Sequence, residues 1–523
     1  MLSPVAGARP GQTAAVLVPL ARVVLPPDPA LLPLHVVGDA EVLEARRLRV
    51  PPGGRAQLAG LLSAFPAGHW RHGTGLNEVV LRLVLTGDGT AVVRRSDSSG
   101  RAGDVVRLPP GSHEVPVALL HDDGGWLWLE VEAGPGGAVL GDVAWCAPEL
   151  SRTGGTTVVM TAFAHQDAAL QVLRDLADPP TLALLDEVVV VDQGERPLQD
   201  EPAWAEAVAG LDTRLRVVRQ PNLGAGGGVA RGQLEALRAG RSRWVLVLDD
   251  DVVLGPETVP RAVAFAERAR RPVQVGGHML DLERPTVLHT PGERIDPRRW
   301  LWETVPPGEE DLDLAASPLP AVPWLHRRLD VDYNPWWCVL VPVEALRRAG
   351  LPLPVFIKWD DVEHGLRLGP TVTLPGVAVH HEPFTGKPDA LGWQAYVHHR
   401  NRLVAGLLHS PRPWGGALLP ESARFTWRPL RRGRRDLVAL RTAAMADLLR
   451  GHAHLVDDLP HVPARALAVQ EQPGALPRLA AEAVLRHVQV ALRWRSLRRR
   501  YRAALPDLVS PGAWERTLAR HAE

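Results

Sequence analysis

The sequence predicts an α/β protein, with a mainly parallel sheet, a β-sandwich or jelly-roll domain before it and a helical region after it. Three observations along the 523 residues carry this prediction. Short β-branched and apolar runs between Gly and Asp turns fill residues 1–150, apolar runs alternate with helical periodicity over residues 151–405, and Arg-rich helical sequence fills residues 406–523. We therefore predict three domains with these bounds.

Individual segments support each part. In the first domain, VVLRLVLTGDGTAVVRR and GGWLWLEVEAG are typical of strands joined by turns. In the middle domain, TTVVMTAF, LLDEVVVVDQG and SRWVLVLDDDVVL are predicted strands, and HQDAALQVLRDLAD has the period of a helix. Ligands of such sheets bind at the carboxyl ends of the strands. Because these strands end near Gln193, Asn222 and Asp249–Asp251, we expect polar side chains to collect at that edge.

Composition limits the classes of partner. The 59 basic and 59 acidic residues give a formal net charge of zero, so no overall field favours nucleic acid as a partner. The two cysteines, Cys146 and Cys338, cannot form a disulfide framework, and a reducing compartment is expected. Neither a signal peptide nor an uncharged apolar run of 18 residues is predicted. We expect a cytoplasmic protein that can still bind the inner face of the cell membrane.

Three consecutive aspartates, Asp249, Asp250 and Asp251, close a predicted buried strand, where an unpaired ionised carboxylate would be costly. In an extended segment Asp249 and Asp251 share one face and Asp250 points away. Two carboxylates at this spacing can hold one divalent cation, which in turn neutralises a diphosphate. A solvated polar strand end is the alternative, and it explains a single aspartate better than three.

Two further clusters carry candidate chemistry. In FIKWDDVEHGLRLG, the adjacent Asp360 and Asp361 point in different directions, so one can position a substrate hydroxyl while the other takes its proton. The cap of a helix explains these aspartates equally well. The pairs His380–His381 and His398–His399 offer a metal ligand or a phosphate donor. An imidazole that joins two carboxylates favours Mn²⁺ over Mg²⁺, but the residues alone leave open which histidine does so.

Two other motifs are less specific. The turn NLGAGGGVARG lacks the GK[ST] of a P-loop, which argues against ATP hydrolysis, and its glycines are expected to allow close backbone approach to a nucleotide or sugar. The pair Trp336–Trp337 in DYNPWWCVLVP is either core or a platform for sugar rings, and composition alone slightly favours core.

Seven motifs together resemble the actinobacterial galactofuranosyltransferases, and in particular the polymerising members of that family. These proteins are family 2 enzymes that build the galactan of the cell wall. The motifs are, in order, DQG, NLGAGGG, LDDDV, YNPWWCVLVP, FIKWDD, HHEPF and QAYVHHRNRL. The resemblance runs from SAFPAGHWRHG, residues 63–73, through the helical tail. FIKWDD followed by QAYVHHRNRL is the specific part, whereas DDD alone is not. The resemblance implies an A-type glycosyltransferase core between the β-sandwich and the C-terminal helices.

The resemblance also implies an activity: metal-dependent transfer from UDP-galactofuranose to a lipid-linked galactan acceptor, with inversion at the anomeric carbon and Mn²⁺ or Mg²⁺ as cofactor. Position by position it assigns the metal to Asp249, Asp251 and His381, the general base to Asp361, the donor to Gln193, Asp250 and His398, and the acceptor to Trp336, Trp337 and Asp360. We also expect Asn222, at a strand end, and His165, near the expected uracil pocket, to contact the donor.

One departure from the family pattern concerns the donor. Where the family has an Arg in a segment like TFNR, this chain has AFAH, and His165 cannot supply the fork of donors of a guanidinium. The identity of the donor sugar therefore stays open. It also stays open whether the enzyme starts a galactan chain or extends one. A non-catalytic glycan-binding protein is a further alternative, against which the intact acids argue.

The tail segment RHVQVALRWRSLRRRYRAAL carries seven arginines between Arg486 and Arg502. A solvated helix face explains them, and so does peripheral binding to an anionic membrane surface, to which each Arg near the lipid adds about 1 kcal/mol. Assembly into a homo-oligomer is also left open by the sequence.

Overall fold

The computed structural model describes residues 16–150, 154–383 and 392–522. Contacts divide the chain into two compact units, Met1–Thr153 with Leu319–Arg328, and Gly154–Pro318 with Leu329–Glu523. The helices after residue 405 therefore belong to the same compact unit as the α/β sheet. Three features of the sequence lie outside the described residues: the first 15 residues, the predicted domain start at residue 151 and the end of the HHEPF motif. The expectation that the N-terminus is no signal peptide falls on the first of these.

The described part of the first unit forms a nine-stranded antiparallel sheet. Its elements are β1 (Leu17–Arg22), β2 (Val37–Gly38), β3 (Glu41–Glu44), β4 (Arg47–Val50), β5 (Arg55–Gln57), helix α1 (Ala67–Gly73), β6 (Glu78–Ser96), β7 (Ala102–Leu108), β8 (Gly111–Ala118) and β9 (Leu127–Pro148). The long strands β6 and β9 pair along most of their length, with register shifts that include one at Gly87–Gly89. Side chains alternate between buried and half-buried from Val79 to Leu85, which is the period of two expected for a strand with one face in the core.

The second unit contains a ten-stranded sheet and a two-stranded ribbon within its described residues. The strands are β10 (Thr156–Ala162), β11 (Leu185–Asp192), β12 (Leu215–Arg219), β13 (Trp244–Asp249), β14 (Val253–Leu254), β15 (Gln274–Asp281), β16 (Val287–Thr290), the ribbon β17 (Glu293–Ile295) and β18 (Trp302–Thr304), β19 (Leu312–Asp313), β20 (Cys338–Pro342) and β21 (Thr371–His381). The order begins β12-β11-β10-β13, all parallel, as predicted. The next strand, β20, is antiparallel to both neighbours, so the sheet is mixed.

Helices cover this sheet and continue beyond it. They are α2 (Gln166–Leu176), α3 (Pro179–Leu182), α4 (Trp204–Val208), α5 (Gly224–Ala239), α6 (Thr258–Arg268), α7 (Val343–Ala349), α8 (Asp360–Leu368), α9 (Gln394–His409), α10 (Leu418–Arg431), α11 (Arg435–Arg450), α12 (His454–Asp457), α13 (Val462–Glu471), α14 (Leu476–Leu508) and α15 (Pro511–Arg520). One apolar core joins α9, α11 and α14 through Leu403, Met445 and Trp494. Among the described helices, none combines the length and the apolar composition needed to cross a bilayer.

Candidate active site

The aspartates lie at the carboxyl end of β13, where the register of two short strands brings a histidine to them. β13 is buried up to Leu248 and ends at Asp249. The two residues of β14 pair antiparallel with β21, with Val253 opposite His380. This register sets His381 beside Asp251, so that His381 Nε2 lies 3.1 Å from Asp251 Oδ1 and 3.7 Å from Asp249 Oδ2.

The arrangement of these three side chains fits a divalent cation. One ligand atom from each of Asp249, Asp251 and His381 lies within 4.8 Å of the other two. His381 Nδ1 lies 2.7 Å from the carbonyl oxygen of Glu382, and because a carbonyl only accepts, Nδ1 carries the proton. Nε2 faces the carboxylates and would offer its lone pair to a bound cation once it gives up the proton that it donates to Asp251. Two carboxylates and one imidazole suit Mn²⁺ better than Mg²⁺.

Burial and crowding perturb the acids. Burial raises the pKa of Asp249 to about 7, His381 opposes this rise, and the negative charges of Asp251, Asp250 and Asp361 add to it. Burial acts to lower the pKa of His381, but the hydrogen bond with Asp251 and the charges of Asp251 and Asp249 raise that pKa above its usual value. Crowding therefore disfavours the ionised form of these acids, and a bound cation would stabilise it.

The second pair of acids follows a strained loop. Phe356, Lys358 and Trp359 have φ values of 74°, 63° and 68°, in the left-handed region that non-glycine residues rarely adopt. Each such residue costs about 1–3 kcal/mol and persists only where its surroundings impose it. Asp360 and Asp361, the first residues of α8, come directly after this loop.

Residues of the QAYVHHRNRL motif hold the loop in place. Asn401 Nδ2 lies within hydrogen-bonding distance of the carbonyl oxygens of Val355 (3.0 Å), Ile357 (2.9 Å) and Lys358 (2.8 Å). Arg400 Nη2 donates to the Val355 carbonyl at 2.8 Å. Sequence reasoning assigned no role to Asn401 or Arg400, although the joint occurrence of the two motifs was a signal that they interact.

Asp360 and Asp361 have different environments. Burial raises the pKa of Asp361 to about 6, and its Oδ1 accepts a hydrogen bond from the Val362 amide at 2.7 Å. Burial, and then the charge of Asp361, raise the pKa of Asp360 well above its usual value, and Asp360 Oδ2 has no hydrogen-bond partner among the described residues. Asp361, whose pKa rises less, is therefore the better candidate of the two to accept a proton.

The glycine-rich turn contacts this same loop. A Cβ on Gly224, whose φ is 74°, would overlap the carbonyl oxygen of Phe356. Gly224 therefore allows the turn to approach a loop of the protein itself. The sequence led us to expect that the glycines allow close approach to a nucleotide or sugar. Gln193 Oε1 accepts from the Leu223 amide at 2.9 Å and Asn222 Oδ1 from the Gly224 amide at 2.9 Å. Both side chains thus stabilise the turn, and their contact with a donor stays a prediction.

A small pocket lies beside the aspartates, at the ends of β10 and β11. Its lining includes Asp250, His165, Asp192 and Arg196. Asp250 Oδ2 accepts from the Phe163 amide at 3.0 Å, and burial raises the pKa of Asp250 to about 6. The exposed His165 precedes α2. Arg196 brings a guanidinium to the pocket that contains His165, the residue found where the resembling family has an arginine. Sequence reasoning did not single out Arg196, although its position just after the DQG motif could have indicated it.

His398 lies in an aromatic group. Its ring centroid is 4.8 Å from that of Trp302 and 6.1 Å from that of Trp359. Burial, followed by the charges of Arg402 and Lys358, lowers the pKa of His398 to about 3, so the ring is neutral at physiological pH. It can donate a hydrogen bond to a diphosphate but adds no positive charge. The exposed Trp302 was not expected from the sequence.

Trp336 and Trp337 lie in the interior, 6% and 3% exposed. Trp337 Nε1 donates to the Gly277 carbonyl at 2.8 Å, and Trp336 belongs to an apolar cluster with Val159. Both tryptophans therefore pack in the core, which is the alternative that composition alone slightly favoured. Their contact with an acceptor stays a prediction, and Trp302 offers a more open ring.

A third acid, the half-buried Glu293, lies near Asp361. It accepts a hydrogen bond from the hydroxyl of Tyr333. Burial raises the pKa of Glu293 to about 7, with Tyr333 opposing and the charge of Asp361 adding to the rise. Nothing in the local pattern PGERID indicated this position, because the ribbon strand that carries Glu293 is three residues long.

Known proteins match both parts of the chain. Residues 33–148 match the family model described as the N-terminal domain of galactofuranosyltransferase 2, and residues 153–406 match a glycosyltransferase-like family 2 model. Galactofuranosyltransferase GlfT2 of Mycolicibacterium smegmatis is 36% identical over 464 residues, which cover 83% of this chain and 72% of that protein. The protein of the same name from Mycobacterium tuberculosis is 36% identical over 465 residues, with 83% and 73% covered.

Solved structures show a weaker likeness. The crystal structure of GalNAc-T7 with UDP, GalNAc and Mn²⁺ matches 55% of this chain and 52% of that chain, with 13% identity and a TM-score of 0.39. A likeness at this level carries no functional assignment.

Proposed function

The chain belongs to the galactofuranosyltransferase family within the family 2 glycosyltransferases, and we propose that it transfers galactofuranose from UDP-galactofuranose to a hydroxyl group of a lipid-linked galactan, with inversion at the anomeric carbon. The observation that carries the proposal is the meeting of Asp249, Asp251 and His381, with Asp361 close enough for its charge to raise the pKa of Asp249.

The metal site supports metal dependence. Asp249, Asp251 and His381 would hold Mn²⁺ or Mg²⁺, and Mn²⁺ suits their donor set better. When bound, such an ion neutralises the diphosphate of the donor as negative charge builds on it. His398 would donate one hydrogen bond to the same diphosphate.

Asp361 is the proposed general base. It takes the proton of the acceptor hydroxyl while that oxygen forms a bond to the anomeric carbon, and the bond from that carbon to the diphosphate breaks on the opposite face, releasing UDP. A positioned base contributes about 10²- to 10⁴-fold to the rate. The carboxyl group of Asp360 would contact the acceptor, together with Glu293 and Trp302.

The nucleotide would lie beside Asp250, at the ends of β10 and β11, where the pocket of about 10 Å³ would have to widen to admit it. Gln193 and Asn222 stabilise the neighbouring turn, and His165 and Arg196 would contact the nucleotide. Arg196 also pairs with Glu201 at 3.2 Å, and its guanidinium makes the replacement of the family arginine by His165 compatible with a UDP-linked donor.

We further propose that the protein acts in the cytoplasm at the inner face of the cell membrane, within reach of a lipid-linked acceptor. Cys146 and Cys338 are free and buried, which agrees with a reducing compartment.

A donor screen tests the proposed function. The purified full chain is incubated with Mn²⁺, a galactan fragment as acceptor, and UDP-galactofuranose, UDP-galactopyranose or other UDP- and dTDP-sugars in turn, and elongated product and released UDP are measured. We expect product with UDP-galactofuranose alone, its loss with EDTA, and the inverted anomer. Elongation with another sugar in preference to galactofuranose would overturn the donor assignment, and full activity in EDTA would overturn the metal dependence.

A further inference from the structure

A hollow of about 370 Å³ lies at the edge of the large sheet that is opposite the three aspartates, and we call it the rear hollow. It forms where β13 begins and β20 ends, at Trp244 and Pro342, which pair with each other. Residues that follow α6 and the first residues of α7 complete its wall. Asp249 ends β13, and at about 3.3 Å per residue it lies about 17 Å from Trp244. The volume of the rear hollow is in the range of small-molecule sites.

Positive charge is concentrated in the rear hollow. Its lining includes four exposed arginines and one acid, which are Arg243, Arg270, Arg271, Arg347 and Glu344. Arg271 and Arg347 form no ion pair with a carboxylate of the described residues. Because the chain as a whole has no net charge, this local excess is a feature of the rear hollow. Such an excess in a concave site attracts an anion.

The arginine just before the rear hollow shows the contrast. Arg241 Nη2 lies 3.5 Å from Glu187 Oε1, and the same carboxylate oxygen lies 2.8 Å from Arg216 Nε. This neighbouring acid therefore neutralises other arginines. The positive charge of Arg271 and Arg347 is available to a ligand.

A buried donor without a partner lies in the wall of the rear hollow. Trp244 is 3% exposed, and its Nε1 has no hydrogen-bond partner among the described residues. A buried N–H group is normally paired, and where the protein supplies no acceptor a ligand or an ordered water does so. The guanidinium carbon of Arg243 lies 5.2 Å from the centre of the same ring, which holds this arginine beside the indole.

The donors of the rear hollow favour an anion whose oxygens accept hydrogen bonds. Guanidinium and indole N–H groups donate and do not accept. The hydroxyl of Ser242 is already engaged, since it donates to Asp186 Oδ2 at 2.6 Å and lies 2.8 Å from Thr157 Oγ1. A sugar would need acceptors for its hydroxyl groups, and Glu344 is the single carboxylate in the lining. Phosphate oxygens match the paired N–H groups of arginine.

We propose that the rear hollow binds a diphosphate anion, either inorganic or as part of a nucleotide. Arg271 and Arg347 would each pair with a phosphate group, Arg243 would lie beside them, and Trp244 Nε1 would donate to one oxygen. Two phosphate groups suit guanidinium groups that come from three separate segments of the chain. The site is separate from the metal-dependent centre, and the inference does not rest on the proposed function.

An acidic macromolecule fits the rear hollow less well. A flat acidic surface would contact the exposed arginines, but the indole of Trp244 is too deeply buried for it to reach. A diphosphate is small enough to enter a hollow of about 370 Å³. Size and depth therefore favour a small anion.

Isothermal titration calorimetry of the full chain with inorganic pyrophosphate, in EDTA, tests the proposal. EDTA removes the cation that would hold a diphosphate at the aspartates. We expect one pyrophosphate per chain, bound more weakly as the salt concentration rises. R271Q/R347Q should bind it about ten-fold or more weakly. W244F, which keeps an aromatic ring but lacks the indole N–H, should bind it about three-fold or more weakly.

R431Q/R432Q is the matched control, because Arg431 and Arg432 are exposed, form no ion pair with a described carboxylate and lie outside the rear hollow. It should bind pyrophosphate like the wild type. UDP is then added to the pyrophosphate complex of the wild type. Displacement of pyrophosphate would show that the rear hollow accepts a nucleotide, and retention would show that it accepts the inorganic anion alone.

Thermal melting checks that each variant is folded. Wild type that binds no pyrophosphate in EDTA would overturn the proposal, as would a folded R271Q/R347Q or W244F that binds it like the wild type. Binding that is lost in D249N/D251N would also overturn it, because the anion would then occupy the donor site. Normal pyrophosphate binding without galactofuranose transfer would instead contradict the proposed function and leave the rear hollow standing as an anion site.

Discussion

Asp360 and Asp361 are adjacent in the chain, but their carboxyl groups lie in different environments. Asp360 is buried and Asp361 is half-buried, and the pKa of Asp361 rises to about 6 while that of Asp360 rises well above its usual value. Two interacting carboxyl groups in one dry site cannot both ionise readily, so Asp361 is the better candidate for the base. The proposed roles follow from this difference.

Replacing each aspartate by asparagine should give unequal effects. Asp361→Asn removes the proton acceptor, and we expect kcat to fall by about 10²- to 10⁴-fold while UDP binding is unchanged. Asp360→Asn keeps a polar group of the same shape and leaves the proposed base in place, and we expect a loss of less than about 10-fold. Steady-state kinetics and UDP titration measure both. Equal losses in the two variants would contradict the assignment of the base.

The pKa of Asp361 also sets a pH dependence. A base with its pKa raised to about 6 is active when deprotonated, so activity is present above that pH and is lost as pH falls through it. We expect kcat/KM for the acceptor, measured with saturating donor and metal, to fall on the acid side with a midpoint near this value. A profile that stays flat well below the pKa of Asp361 would show that another group takes the proton.

At the scale of elements, the strained loop before α8 is held from two sides. Asn401 and Arg400 of α9 bind its carbonyl groups, and Gly224 at the start of α5 packs against Phe356. The motifs around residues 224, 356 and 401 therefore form one structural unit that orients Asp360 and Asp361. Such support is what a catalytic group on a strained backbone requires.

A pair of glycine substitutions tests this contact. Gly224 and Gly240 both have positive φ, 74° and 63°, so alanine at either should cost about 1–2 kcal/mol of unfolding free energy. Only at Gly224 does the added Cβ meet Phe356, which should add about 1–3 kcal/mol and displace the loop. Denaturant unfolding and transfer assays measure both effects. If Gly224→Ala matches Gly240→Ala in stability and activity, the loop does not depend on this contact.

The sequence predicted some elements better than others, for physical reasons. β10, β11 and β13 have long buried runs whose pattern extends over several residues, and they form the expected parallel sheet. β14 has two residues, too few to show any period, yet its pairing with β21 brings His381 to Asp251. Local patterns carry no information about such long-range pairing. Glu293 and Trp302 lie on similarly short strands and were missed for the same reason.

In the molecule as a whole, the tail helices and the site share one core. A single apolar cluster contains Trp359 of the strained loop, Leu403 of α9, Met445 of α11 and Trp494 of α14. The tail helices therefore pack against the loop that carries the proposed base.

The central claim is that side chains from three distant segments form one metal-dependent centre. The most direct measurement is anomalous diffraction at the manganese edge from crystals of the full chain grown with Mn²⁺ and UDP. We predict one strong peak within coordinating distance of Asp249, Asp251 and His381, with the carboxyl group of Asp361 facing the adjoining cleft. A peak bound elsewhere, or UDP bound with no ion at these three side chains, would contradict the account.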